Sequence, residues 1–131
     1  MQFTSALSRQ AATEAAVQEV LDSVASQLPD QQAHLSFVFA SSHHLKNFPH
    51  LLHTMQERLS THILIGCTGG GVIGDRREVE GRPALALMAG HLPDVTISAF
   101  HLEQSDLEEE WSESYWHNRF GVTPDDEPIF V

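Results

Sequence analysis

"IGCTGGGVIGD", residues Ile65 to Asp75, decides how the chain is to be read. It closes the apolar run His62–Gly66 and sets Gly69, Gly71 and Gly74 in the pattern G-x-G-x-x-G, the mark of a dinucleotide-binding turn. Such a turn needs a helix that opens at the second or third glycine and points its N-terminus at the pyrophosphate. After Gly74 the chain reads Asp75-Arg76-Arg77-Glu78-Val79-Glu80-Gly81-Arg82-Pro83, with one apolar side chain and no helical period. The first strand-to-helix turn, at Ser8-Arg9, carries no glycine. No Lys-Ser or Lys-Thr pair follows the glycines, as a Walker loop requires. Neither nucleotide pattern is met.

Gly66-Cys67-Thr68-Gly69-Gly70 also reads as a nucleophile elbow, but that geometry again demands a helix after the turn. Cys67 would be a nucleophile only if one of the nine histidines approached it. The commoner fate of a lone cysteine is a small thiol closing a strand. What remains is a loop poor in side chains, in which Gly69, Gly70 and Gly71 allow either close approach of a ligand to the backbone or positive φ.

Working outward, "FTSALS" (3–8) is a short strand, and a helix follows from Gln10 to Leu28, ended by Pro29-Asp30. "HLSFVFA" (34–40) is apolar enough for a strand covered on both faces. A second helix begins near Pro49, with Leu51, Leu52, Met55 and Leu59 on one face. His62–Gly66 is the next buried strand. Asp75–Arg82 reads as a polar bend. Pro83–Ala89 and Val95–Leu102 read as two strands, too close in sequence for a crossover helix and so an antiparallel hairpin. A third helix is expected from Ser105, where Ser105-x-x-Glu108 forms a capping box, and Ile129–Val131 is a last strand. The order β-α-β-α-β-β-β-α-β predicts an α/β domain, a mixed sheet flanked by helices.

If the strands before Ser41 and Cys67 are parallel neighbours, both loops emerge at one carboxyl edge, where open α/β sheets bind ligands. Ser41, Ser42, His43, Cys67, Thr68 and Gly69–Gly71 are therefore the candidate ligand-binding residues. Small hydroxyls, an imidazole and free amides suit a compact polar molecule such as an amino acid. The plainer alternative is that Ser41 and Ser42 cap the next segment and the glycines merely turn.

The 131 residues suffice for one domain with a core. Seven basic residues against eighteen acidic ones, a net charge of −11, disfavour nucleic acid and anionic membranes as partners. A single cysteine, no signal peptide at "MQFTSALSRQAATEA" and no spanning run predict a soluble cytoplasmic protein.

Three features in order then give a resemblance. These are the strand end Phe39-Ala40-Ser41, the strand end Ile65-Gly66-Cys67-Thr68 with its glycines, and the step Glu80-Gly81 into an apolar strand. Over about Phe3 to Leu102 the chain resembles the amino-terminal part of the FIST family, intracellular sensory domains of bacterial signal transduction that also occur in an F-box protein. The resemblance implies binding of small ligands, amino acids or similar metabolites, and no catalysis. It implies as partner a carboxyl-terminal FIST half or a signalling effector domain. With the chain closing on "PIFV", it predicts that residues 1–131 are the amino-terminal part of a truncated domain, whose open sheet edge should drive homodimerisation. The rival readings are a cysteine enzyme using Cys67 and a protein-interaction module without small ligand.

No cofactor is expected from the residues themselves. Some relatives are associated with haem, for which His43-His44 would supply the axial ligand. His50 and His53 share a helix face but make only half of a zinc site. Asp106, Glu108, Glu109, Glu110 and Glu113 read as a solvated face of the third helix. Trp111 and Tyr115 read as its core side.

Overall fold

In a computed structural model describing residues 1–28, 32–107 and 112–129, the apolar runs become strands and the amphipathic ones helices. The elements are β1 (Gln2–Ser8), α1 (Thr13–Gln27), β2 (Leu35–Ser41), α2 (Phe48–Leu59), β3 (Ile63–Gly69), β4 (Gly71–Gly74), β5 (Arg77–Glu80), β6 (Leu85–His91) and α3 (Glu113–Phe120), with 3-10 turns at Ser42–Asn47, Gln104–Leu107 and Pro124–Asp126. Two units are distinguished, Met1–Val95 and Thr96–Val131.

The first unit is built on a four-stranded mixed sheet ordered β1-β6-β2-β3. β6 runs antiparallel to both β1 and β2, and β2 runs parallel to β3. Hence β1, β2 and β3 point the same way and end on one edge. Alternate residues of the sheet (Ala6, Ser36, Val38, Ala40, Leu85, Leu87, Ala89) are buried with Ala16, Val17, Val20, Leu21 and Val24 of α1 and Leu51 and Met55 of α2. The alanines leave room for the helix backbones to approach, and burial of the large aliphatic side chains stabilises the contact by about 1.5–3 kcal/mol each.

The opposite face carries Phe3, Leu7, Phe37, Phe39, Ile65, Cys67 and Met88 in register-matched rows. Phe3 lies across Gly90, whose place would not accept a Cβ within 2.6 Å of that ring. At the Leu7 end the face is covered by the two-stranded sheet β4-β5, through Val72, Val79, Ala84 and Ala86.

The α/β class and mixed sheet agree with the sequence; several elements differ. Asp75–Arg82 is not a simple bend. It holds the turn of the β4-β5 hairpin at Asp75-Arg76, both with positive φ, the geometry that right-twisted strands need. The hairpin expected between 83–89 and 95–102 does not form. Both sides of β6 are occupied by β1 and β2, so Val95–Leu102 has no edge of β6 to pair with and lies outside regular structure.

In the second unit α3 starts later than expected, at the N-cap Ser112, whose Oγ accepts from the Tyr115 amide at 3.3 Å. Ser105 sits instead in a 3-10 turn, and its capping partner Glu108, with Glu109, Glu110 and Trp111, lies outside the described residues. The unit is gathered round Phe100, Trp116 and Phe120, with ring centroids 4.5 and 5.4 Å apart. Ile129 is in no strand; Phe130, Val131 and the Pro29-Asp30 turn are outside the described residues.

Candidate functional site

Parallel pairing sets Ser41 opposite Gly69, so the two expected loops emerge side by side at the carboxyl edge of β2 and β3. The residues play unequal parts there. Ser41 is buried; its amide donates to the Ala84 carbonyl at 2.8 Å and its Oγ accepts from the Ala84 amide at 3.0 Å. That pair of bonds rivets the start of β6 to the end of β2. Ser42 and His43 are exposed on the 3-10 turn that follows.

Cys67 is exposed in β3, on the sheet face away from α1 and α2, opposite Phe39. Among the described residues none forms a hydrogen bond with its thiol. Thr68 and Gly69 are half-buried, while Gly70 and Gly71 are exposed. None of Gly69, Gly70 and Gly71 has positive φ, so the left-handed explanation of the glycines does not hold. A Cβ on Gly70 would meet nothing within 4 Å, one on Gly69 the Gly71 carbonyl at 3.1 Å, and one on Gly71 the Glu80 side chain at 3.2 Å. The run leads into strand β4, not into the helix that a phosphate-binding turn opens.

His44 is the residue whose place the sequence left least defined. In a 3-10 turn residues three apart eclipse, and His44 and Asn47 accordingly reach the same atom. Thr13 Oγ1, in the first turn of α1, lies 3.0 Å from His44 Nδ1 and accepts from Asn47 Nδ2 at 3.4 Å. The imidazole is fully buried, and its Nε2 has no hydrogen-bond partner among the described residues. Burial, and secondly the neighbouring His43, holds its pKa below the ordinary histidine value.

His44 is not placed to be an axial haem ligand. One nitrogen of His44 is engaged by Thr13 and the other has no access. Two cavities of about 140 and 160 Å³ lie in the α1–α2 groove, and neither is lined by His43 or His44. His53 pairs with Glu57 on the surface at 3.4 Å, and among the described residues no three His, Cys, Asp or Glu side chains are placed to hold a metal ion.

Three further histidines form a row invisible in the sequence. His34, His62 and His91 meet across β3, β2 and β6 at the opposite edge, with ring centroids 6.0 and 5.0 Å from His34. His34 Nδ1 accepts from the Leu92 amide at 2.9 Å, and His91 Nδ1 donates to the Gln32 carbonyl at 2.9 Å. Only the β register brings them together.

Fold and edge together define an α/β domain with two loops side by side at the carboxyl ends of parallel strands. The model of the FIST N domain matches residues 34–121, and the chain belongs to the FIST family, whose domains are sensors in signal transduction. No curated protein and no solved structure matches the chain. No described helix is long and apolar enough to cross a membrane.

Proposed function

We propose that this chain is a small-ligand-binding sensory domain that acts in the cytoplasm, takes an amino acid or similar compact metabolite, and performs no chemistry on it. The observation that carries the reading is the pairing of Ser41 with Gly69, which places Ser42, His43 and the Thr68–Gly71 backbone at one sheet edge. The exposed Gly70–Gly71 backbone, with open space at Gly70, is suited to a carboxylate, and hydroxyl and imidazole groups to its polar substituents. The ligand signal passes to a carboxyl-terminal FIST half or an effector domain.

Titration of the isotope-labelled chain with a panel of amino acids and small carboxylates tests the proposal. A binder should shift the amide resonances of Thr68 to Gly71 and of Ser42 and His43, and Gly70→Val, which meets open space, should weaken binding at least tenfold while leaving the fold intact. Saturable binding that perturbs only the α1–α2 groove would remove this site from consideration.

A further inference from the structure

The four-stranded sheet is guarded at one edge and open at the other. At the β1 edge Gln27 of α1 donates to the Ser5 carbonyl at 3.3 Å, and Gln2 donates back to the Gln27 carbonyl at 3.0 Å. The helix is thereby tied across that edge. β3 forms the other edge, and among the described residues nothing bonds the outer main-chain groups of Leu64–Thr68. Natural edge strands are protected by Lys, Pro or a bulge, because unpaired N–H and C=O groups template another strand. Ile63–Gly69 has neither a charge nor a proline.

The surface continuing from this edge is of the same kind. Ile65 and Met88, which flank Phe37, and Phe39, two residues along the same face, remain 46, 38 and 43% exposed. None of the Lys, Arg, Asp or Glu residues lies in β1, β2, β3 or β6, although the chain carries a net charge of −11.

We propose that β3 is a self-association edge, on which β3 of a second copy pairs antiparallel about a twofold axis and extends the sheet to eight strands. A twofold requires antiparallel pairing of identical strands, and the main-chain groups of one β3 are matched by those of another. A charged partner finds no countercharge on this edge. Two acidic chains repel wherever their charged faces meet, and this edge with its neutral face is an approach in which they do not. Pairing two seven-residue strands buries less than a standard interface of about 1,600 Å², so the dimer is a weak, concentration-dependent one. This assignment does not rest on the ligand-binding reading, although β3 ends in Thr68 and Gly69 of that site.

Sedimentation equilibrium of the full chain, from micromolar to millimolar, tests it together with amide exchange by mass spectrometry at both extremes. The expected result is a monomer–dimer equilibrium in which Ile63–Gly69 gains protection with concentration while β1 does not. Ile65→Lys should weaken association at least tenfold, and Phe3→Lys, at the far edge of the same face, should leave it unchanged. A monomer throughout the range overturns the proposal. So does association whose protection appears in β1 or spreads evenly over the sheet, a readout on the unaltered chain that does not depend on either variant folding.

Discussion

At Gly66 the strand backbone comes so close to β2 that a Cβ would lie 2.1 Å from the Val38 carbonyl oxygen and 2.5 Å from its Cγ1. Neither atom can yield without moving a central strand, so Gly66→Ala should cost about 3 kcal/mol, read from urea denaturation. Gly70→Ala, with nothing near, should cost almost none. The glycine run thus divides into a packing residue and residues free for other use, a distinction the letters alone do not carry. His44 makes the second residue-scale case. Its folded-state pKa lies below the unfolded value of 6.5, so above that pH the imidazole is neutral in both states. As pH falls through 6.5 the unfolded chain takes up a proton that the folded chain refuses. Stability is then lost by up to about 1.4 kcal/mol per pH unit until the folded group titrates too. His44→Gln should show a shallower loss than the natural chain between pH 7 and 5, measured as urea midpoints. Parallel slopes would mean that His44 does not contribute.

Among elements, those with a long apolar run were legible. α1, α2, β2, β3 and β6 were read within a few residues at their ends, but His62–Gly66, expected as a buried strand, is the sheet edge, and none of Ile63–Gly69 is buried. The β4-β5 hairpin was not legible. Its only buried pair is Val72 opposite Val79, and Arg77-Glu78-Val79-Glu80 looks like loop until a neighbouring cluster supplies the burial. Val95–Leu102 failed in the reverse sense, since its alternation fits a strand but β6 already has two partners. Pairing is a property of the whole sheet and leaves no mark within one segment. The hairpin also yields a prediction. Asp75 and Arg76 sit at φ 46° and 58°, where a side chain costs roughly 1–2 kcal/mol per residue. The double substitution Asp75→Asn with Arg76→Gly installs the Asn-Gly pair that this turn prefers. It should raise stability by about 1 kcal/mol, read from the urea midpoint, with the fold unchanged. A loss of stability would show that the acidic and basic side chains make contacts worth more than the strain.

For the whole molecule the two units differ in what they bury. The first buries two apolar clusters, one between the sheet and α1 and α2 and one under the β4-β5 hairpin, whereas no described residue of Thr96–Val131 is buried. An eight-residue helix such as α3 is too short to persist on propensity, and its support is the aromatic group of Phe100, Trp116 and Phe120, an N-cap and the Arg119–Asp106 pair at 3.6 Å. Surface pairs of that kind contribute at most about 1 kcal/mol. The second unit should therefore open at a lower free energy than the first. Both tryptophans, Trp111 and Trp116, belong to it by position, while the far-ultraviolet ellipticity is dominated by α1 and α2. Urea should accordingly shift the tryptophan emission at a lower concentration than it removes the ellipticity, and Phe120→Ala should widen the gap by moving only the fluorescence transition. Coincident transitions that move together in Phe120→Ala would mean that one cooperative core spans both units.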